Sequence, residues 1–160
     1  MPSTSIMQCS QLMKKHGLTV AFAESATAGR LSAEFSLVPD CGEILKGGIV
    51  CYDACIKQDI LGVPEDLVKK YTPESAEVTA AMTQCLSKII PADIYVSVTG
   101  LTMPGGSETE EKPVGTMFVN ILFNGKSFGR RFQFTGSPES IVLQTIDSIA
   151  ELLTNNISAK

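Results

Sequence analysis

A serine, a tyrosine and a lysine stand near the predicted ends of strands, where their side chains could act as nucleophile and base. Ser25 follows the apolar run 18–23, at the point where a helix is predicted to begin. Its hydroxyl could cap that helix by accepting a backbone N–H bond, which is the interpretation that the local pattern favours. It could instead act as a nucleophile beside N–H groups that stabilise an oxyanion.

Tyr52 and Lys57 are the candidate partners of a serine mechanism that cannot use histidine. The G-x-S-x-G pattern of α/β-hydrolases is absent, and His16 lies in a predicted surface helix. A lysine with a lowered pKa can serve as a base, and a tyrosine can orient or relay a proton. The alternatives are a solvent-facing helix lysine for Lys57 and a half-buried strand end for Tyr52.

The glycine-rich loop 100–113, together with Thr99 before it, is a third candidate, because it follows a predicted strand and is too polar for regular structure. Its glycines, Gly100, Gly105 and Gly106, would let backbone N–H groups approach an anion, and the Thr99 hydroxyl could donate to one. The alternative is a flexible crossover that binds nothing. The acidic residues of the loop would repel phosphate and are expected to point to solvent; they are Glu108, Glu110 and Glu111.

Apolar periodicity predicts the strands and helices that must position these residues. The pattern alternates between strand and helix, which favours an α/β fold with three layers, α/β/α, around a central mixed sheet of about five strands. No linker or break in composition divides the chain, so one domain over 1–160 is predicted. Strands are predicted over 18–23, 46–52 and 93–99, and a hairpin of 114–123 with 127–134 around Asn124-Gly125. Helices are predicted over 1–16, 27–37, 53–61, 73–89 and 138–153, with a frayed tail over 155–160.

Three loops follow the carboxyl ends of the first three predicted strands. They are 24–29, 52–57 and 99–112, and they contain all the candidates above. Because ligand sites in open α/β sheets lie beyond these strand ends, we expect the three loops to converge on one site.

The composition is that of an ordinary globular protein with an acidic balance. Of 160 residues, 44% are hydrophobic and 19% are charged, with a formal net charge of −4. The negative charge argues against nucleic-acid binding, which needs clustered Lys and Arg. No apolar run reaches the roughly 18 residues of a membrane span, and residues 1–11 lack the features of a secretory signal, so we expect a cytoplasmic protein without a membrane partner. The five cysteines are expected to be reduced thiols, and the single histidine argues against a zinc site.

The same segments, taken in order, resemble the CinA C-terminal domain family, whose stand-alone members include nicotinamide mononucleotide (NMN) deamidases. Each block alone is weak, but the ordered set is specific and covers about 18–153. The matching blocks are Ala23-Glu24-Ser25-x-Thr27-x-Gly29, Gly47-Gly48-Ile49-Val50-x-Tyr52, Lys57 followed by Leu61-Gly62-Val63, Val98-Thr99-Gly100, Pro104-Gly105-Gly106 and Lys112-Pro113-Val114-Gly115-Thr116.

The resemblance implies an amidohydrolase that removes the carboxamide of NMN as ammonia and leaves nicotinic acid mononucleotide. By position, the family's serine nucleophile falls on Ser25, and its assisting tyrosine and lysine fall on Tyr52 and Lys57. The resemblance also implies a homo-oligomer that binds a small-molecule nucleotide and uses no cofactor and no metal. Substrate contacts are implied for Glu24, Thr27, Ala28, Gly29, Thr99, Gly100, Gly105 and Gly106.

A few positions depart from the family pattern and support an alternative function. Ala26 stands where the family has cysteine, Ala28 and Met103 stand where glycines are usual, and Pro138 replaces an arginine that often follows Gly-Asp. In addition, 71–74 replaces the family's Gly-Ala-Val-Ser block. The alternative is a catalytically silent member that binds a nucleotide or serves as an interaction module.

Overall fold

The computed structural model describes residues 1–159, in which five strands form one sheet in the order β2-β1-β3-β4-β5. The first three strands are parallel to one another, and the last two are antiparallel additions at one edge. This confirms the predicted mixed sheet and the predicted hairpin. The strands are β1 (Val20–Glu24), β2 (Leu45–Val50), β3 (Ile94–Gly100), β4 (Thr116–Phe123) and β5 (Lys126–Gln133).

Helices cover both faces of the sheet. Among the described residues they are α1 (Thr4–His16), α2 (Arg30–Ser36), α3 (Ala54–Asp59), α4 (Glu65–Tyr71), α5 (Ala76–Ser87) and α6 (Pro138–Ser158), with a short 3₁₀ helix at Cys41–Glu43. None of those helices is both long enough and apolar enough to cross a membrane.

The sheet buries two apolar clusters, because successive side chains of a strand point to opposite faces. In β1, Phe22 packs with α1, α2 and α6, whereas Ala21 and Ala23 pack with α4 and α5. In β3, Val96 joins the first cluster and Tyr95 joins the second. The central strands are therefore buried on both faces, which confirms the predicted three-layer α/β/α arrangement.

Helix α2 begins three residues later than the predicted start at Thr27. Ala28 and Gly29 have φ angles of 46° and 92°, and a right-handed helix cannot contain such residues. Residues 25–29 consequently form a tight turn between β1 and α2. This turn, called the Ser25 turn below, separates Ser25 from the helix that it was expected to precede directly.

Helix α5 also begins later than predicted, at Ala76 rather than at Pro73-Glu74. Its N-cap is Ser75, whose hydroxyl accepts a hydrogen bond from Val78 N at 3.2 Å. Thr72, with φ 68°, ends the preceding helix α4, for which the sequence pattern predicts no helix. Residues 72–75 thus form a junction between two helices, and Glu74 lies in it.

Helix α6 continues beyond its predicted end at residue 153. It extends to Ser158, because Ile157 is buried against the core with 1% of its surface exposed. The predicted frayed tail is therefore wrong over 155–158, and Lys160 lies outside the described residues.

Candidate active site

A pocket of about 290 Å³ lies at the carboxyl ends of the three parallel strands. Each of the three predicted loops contributes to it, so the expected convergence is confirmed. A fourth contribution comes from Glu74, at the junction between α4 and α5. The lining residues are Ser25, Ala26, Tyr52, Glu74 and the segment 100–106.

Glu24 organises the Ser25 turn from beneath it. The residue is 1% exposed, and its carboxylate accepts five hydrogen bonds. One oxygen accepts from the Thr27 hydroxyl at 2.6 Å and from Gly29 N and Leu31 N at 3.0 Å each. The other accepts from Ser32 N at 2.8 Å and from the Ser32 hydroxyl at 2.6 Å. The carboxylate therefore satisfies the N–H groups at the start of α2, where no side chain of the N-cap Gly29 can do so. Neither Glu24 nor Thr27 lines the pocket.

Ser25 is held by its backbone, while its hydroxyl stays without a partner. Its N–H donates to Val98 O at 3.0 Å, and its carbonyl accepts from Ala28 N at 3.0 Å. The residue is 5% exposed and lines the pocket, yet its hydroxyl makes no hydrogen bond to any residue in the range 1–159. The helix-cap interpretation of Ser25 is therefore wrong, because Glu24 performs that role.

Lys57 is buried, contrary to the alternative of a solvent-facing helix lysine. It is 1% exposed, and its Nζ donates to Tyr52 O at 3.1 Å. Burial lowers the pKa of Lys57, and the nearby Cys51, Glu74 and Asp53 oppose that shift. Burial likewise raises the pKa of the Cys51 thiol to about 11, against the opposing effect of Lys57.

Tyr52 lies at the edge of the pocket and is more exposed than the half-buried position that was the alternative expected for it. Its side chain is 60% exposed, and its carbonyl oxygen is the acceptor for Lys57. No hydrogen bond joins Ser25 to Tyr52 or Lys57 within the part of the chain that the structure describes. Ser25 and Tyr52 therefore line one pocket, whereas Lys57 does not line it and reaches it only through its hydrogen bond to the Tyr52 carbonyl.

The loop after β3 turns one of its own carboxylates onto the predicted anion site. Gly105 N and Gly106 N donate to the two oxygens of Glu108 at 2.7 and 2.8 Å. The bond from Gly105 is the main cause that lowers the pKa of Glu108. Glu108 is thus partly exposed while it binds the backbone of its own loop, and Glu110 and Glu111 are exposed, as expected.

A network of four side chains ties this loop to the α4–α5 junction, and sequence reasoning missed it as part of the site. The Ser107 hydroxyl donates to Glu74 Oε2 at 2.5 Å. Lys112 Nζ donates to Thr72 Oγ1 at 2.8 Å, and to Glu74 O and Ser107 Oγ at 2.9 Å each. Two signals were present: Lys112 stands in a matching family block, and 71–74 departs from one. We call Thr72, Glu74, Ser107 and Lys112 the Glu74 network.

Several predicted substrate-binding residues do not line the pocket. The Thr99 hydroxyl is fully buried and bonds with the Thr79 hydroxyl at 2.9 Å. Ala28 is exposed, and Gly29 faces Val50. Among the predicted contact residues, Gly100, Gly105 and Gly106 line the pocket. The contacts of all eight predicted residues with a substrate stay predictions.

The fold and the pocket define an open α/β domain with a polar site at the carboxyl ends of three parallel strands. The family model of the CinA C-terminal domain matches residues 3–157, and the chain belongs to that family.

Relatives and solved structures agree with this assignment. The chain is 43% identical over 131 residues to a "CinA-like protein" of Thermotoga maritima, which covers 82% of this chain and 32% of that protein. It is 36% identical over 143 residues to a "Putative competence-damage inducible protein" of Moorella thermoacetica, which covers 89% of this chain and 34% of that protein. The chain thus spans about a third of the length of these curated relatives. A crystal structure of a competence-damaged protein (CinA) superfamily protein from Klebsiella pneumoniae has a TM-score of 0.92 at 23% identity, with 98% of this chain and 97% of that chain covered, and therefore shares the fold.

Proposed function

We propose that this domain is an amidohydrolase that converts NMN to nicotinic acid mononucleotide and ammonia, with Ser25 as the nucleophile. The observation that carries the proposal is the unbonded Ser25 hydroxyl at the wall of a pocket. A serine in a turn usually bonds to nearby backbone, and here Glu24 has taken over that role. The family's amidohydrolase members support the choice of reaction.

The reaction would proceed through an acyl-enzyme intermediate. Ser25 Oγ attacks the carboxamide carbon, and its proton passes to a neutral amine at Lys57, with the Tyr52 hydroxyl as a relay. Collapse of the tetrahedral intermediate breaks the C–N bond, and the departing amine takes the proton and leaves as ammonia. Water then attacks the ester, so that the carboxylic acid and free Ser25 are released.

Two features of the site fit these steps. Burial lowers the pKa of Lys57, which favours the neutral amine that a base needs. The backbone N–H groups of Ala26 and Thr27 have no hydrogen-bond partner among residues 1–159, and Ala26 lines the pocket. The Ala26 N–H group is therefore available to an oxyanion in the pocket, whereas the N–H groups at the start of α2 are not, because the Glu24 carboxylate accepts their hydrogen bonds.

The first test is ammonia release from NMN by the wild type, Ser25→Ala and Ser36→Ala. Ser36 is the matched control, because it is exposed and its hydroxyl bonds only to Ala33 O of its own helix. We expect Ser25→Ala to lose roughly 10³-fold or more in kcat, as for other lost nucleophiles, and Ser36→Ala to keep wild-type activity. Equal release by Ser25→Ala and the wild type would contradict the assignment of Ser25.

A catalytically silent nucleotide-binding member is the second candidate. It is favoured because no hydrogen bond among residues 1–159 links Ser25 to Tyr52 or Lys57, the side chains that would have to activate it. An increase of Tm with NMN, without ammonia release by the wild type, would support this candidate. The homo-oligomer and the cytoplasmic location stay predictions, and light scattering of the purified chain tests the first of them.

A further inference from the structure

The charge of the pocket comes from a single residue. Among the lining residues, all of which are described, Glu74 is the one with an ionisable acidic or basic side chain other than the Tyr52 phenol. No lysine, arginine or histidine within residues 1–159 forms an ion pair with the Glu74 carboxylate. The pocket therefore has a carboxylate on which the nearest cations, Lys57 and Lys112, act only from beyond ion-pair distance.

The Glu74 network orients this carboxylate, and its lysine, Lys112, interacts with the carboxylate through space but not in a direct hydrogen bond. Ser107 donates a single hydrogen bond to Oε2, so most acceptor positions of the carboxylate stay open. The three donors of Lys112 go instead to neutral oxygens: two hydroxyls and the Glu74 carbonyl. Lys57, on the other side, donates to the Tyr52 carbonyl. A cationic ligand would thus find a fixed and largely unsatisfied acceptor in the pocket.

An anionic group, in contrast, finds few free hydrogen-bond donors in the pocket. Two N–H groups of the glycine-rich loop at the pocket, those of Gly105 and Gly106, already hold the Glu108 carboxylate. No lysine or arginine lines the pocket. A phosphate would have to displace Glu108 and then lie near a second carboxylate, which costs Coulomb energy.

NMN carries both kinds of charge, a positive pyridinium ring and a negative 5′-phosphate. We propose that this site recognises its substrate through the positive charge of the ring, next to Glu74, and leaves the phosphate outside the pocket. The substrate class is then the N-ribosylated pyridinium carboxamides, with or without the 5′-phosphate. This inference rests on the proposed function for the identity of the ring, and it assigns to Glu74 a role in specificity.

Four ligands separate the two charges: NMN, nicotinamide riboside, and the reduced form of each, in which the dihydropyridine ring is neutral. Dissociation constants are measured by calorimetry on the Ser25→Ala protein, so that turnover does not interfere. With this protein, we expect reduction of the ring to weaken binding by about tenfold, and removal of the phosphate to change binding by less than about threefold.

Glu74→Gln in the same background tests the residue itself. The amide oxygen can still accept from Ser107, so the network is kept while the charge is lost. We expect the oxidised and reduced ligands to bind this variant within about twofold of each other. Glu110→Gln is the control, because Glu110 is exposed in the same loop, and it should keep the tenfold preference for the oxidised ring. Unchanged Tm values show that each variant is folded.

The outcomes distinguish the two proposals. A loss of tenfold or more on removal of the phosphate, or an undiminished ring preference in Glu74→Gln, overturns the inference about charge while the proposed reaction stands. No ammonia from the wild type with any of these ligands, together with an intact ring preference, overturns the proposed reaction and supports recognition by ring charge. Absence of binding by all four ligands overturns both.

Discussion

The substitution Glu24→Gln tests whether one buried carboxylate holds the Ser25 turn together. The two oxygens share five donors: Oε2 accepts from the Thr27 hydroxyl, Gly29 N and Leu31 N, and Oε1 accepts from Ser32 N and the Ser32 hydroxyl. An amide keeps one acceptor oxygen and places an NH₂ group against the other donors. The best orientation points this NH₂ group at Ser32, whose hydroxyl can rotate to accept but whose N–H cannot.

The loss of stability expected for Glu24→Gln follows from these hydrogen bonds. The variant leaves at least one buried N–H without a partner and turns charge-assisted bonds into neutral ones, so we expect a loss of about 2–4 kcal/mol in the free energy of unfolding. This is a large part of the roughly 5–15 kcal/mol that a domain has. For a chain of this size, it corresponds to a decrease in Tm of roughly 5–15 °C.

Urea unfolding followed by circular dichroism measures this loss, and an unchanged m-value would show that the compactness of the two states is the same. Glu43→Gln is the matched control, because Glu43 has an exposed side chain whose distance to Lys14 is 4.0 Å. It should stay within about 0.5 kcal/mol of the wild type. A Glu24→Gln protein as stable as this control would refute the role that we assign to Glu24.

Two further predictions concern the backbone of the turn and the buried lysine. Ala28→Gly should raise the free energy of unfolding by about 0.5–1 kcal/mol in the same urea assay. Glycine relieves the strain of the left-handed φ of 46°, which exceeds its entropic cost, and the exposed methyl group that is lost packs little. A loss of stability would contradict this prediction. For Lys57, the folded protein has the lower pKa and releases its proton before the unfolded chain does, so the penalty of burying its charge is full below the lowered pKa and disappears as pH rises from there to 10.5. The free energy of unfolding that Lys57→Met gains over the wild type should therefore decrease between pH 7 and 10.5. Over the same range, kcat/KM of the wild type on NMN should rise until the lysine is neutral. A kcat/KM that does not change with pH would exclude Lys57 as the base.

The sheet and the position of the site could be predicted because they depend on local patterns. Apolar runs of strand length and the Asn124-Gly125 turn determine five strands, and parallel strands bring the loops after them to one edge. The helix starts were harder, since they depend on backbone angles. Ala28 and Thr72 adopt positive φ although neither is a glycine, so no residue type marked the end of the turn or of α4.

Other parts of the site depend on contacts that no spacing reveals. Lys57 stands in a short helix with charged neighbours, and its burial follows only from how α3 packs beneath the loop that contains Tyr52. Glu108 turns back onto the glycines two and three residues before it, which a polar loop sequence does not distinguish from a carboxylate in solvent. Glu74 lines the pocket from the junction between two helices, which is not at any of the strand ends from which the sequence predicts the site.

The departures from the family pattern can now be separated by where they lie. Ala28 is exposed in the Ser25 turn and does not line the pocket, so its methyl group is not in the way of a ligand there. Met103 and Glu74 do line it, and Glu74 adds a charge that the family's Gly-Ala-Val-Ser block does not have. Under the proposed function, the differences at the pocket would change which ligand is bound, since Ser25, Tyr52 and Lys57 are all present. We accordingly expect the substitutions in this chain to change substrate preference before they abolish activity, and the comparison of ring charge with phosphate is the experiment that separates these effects.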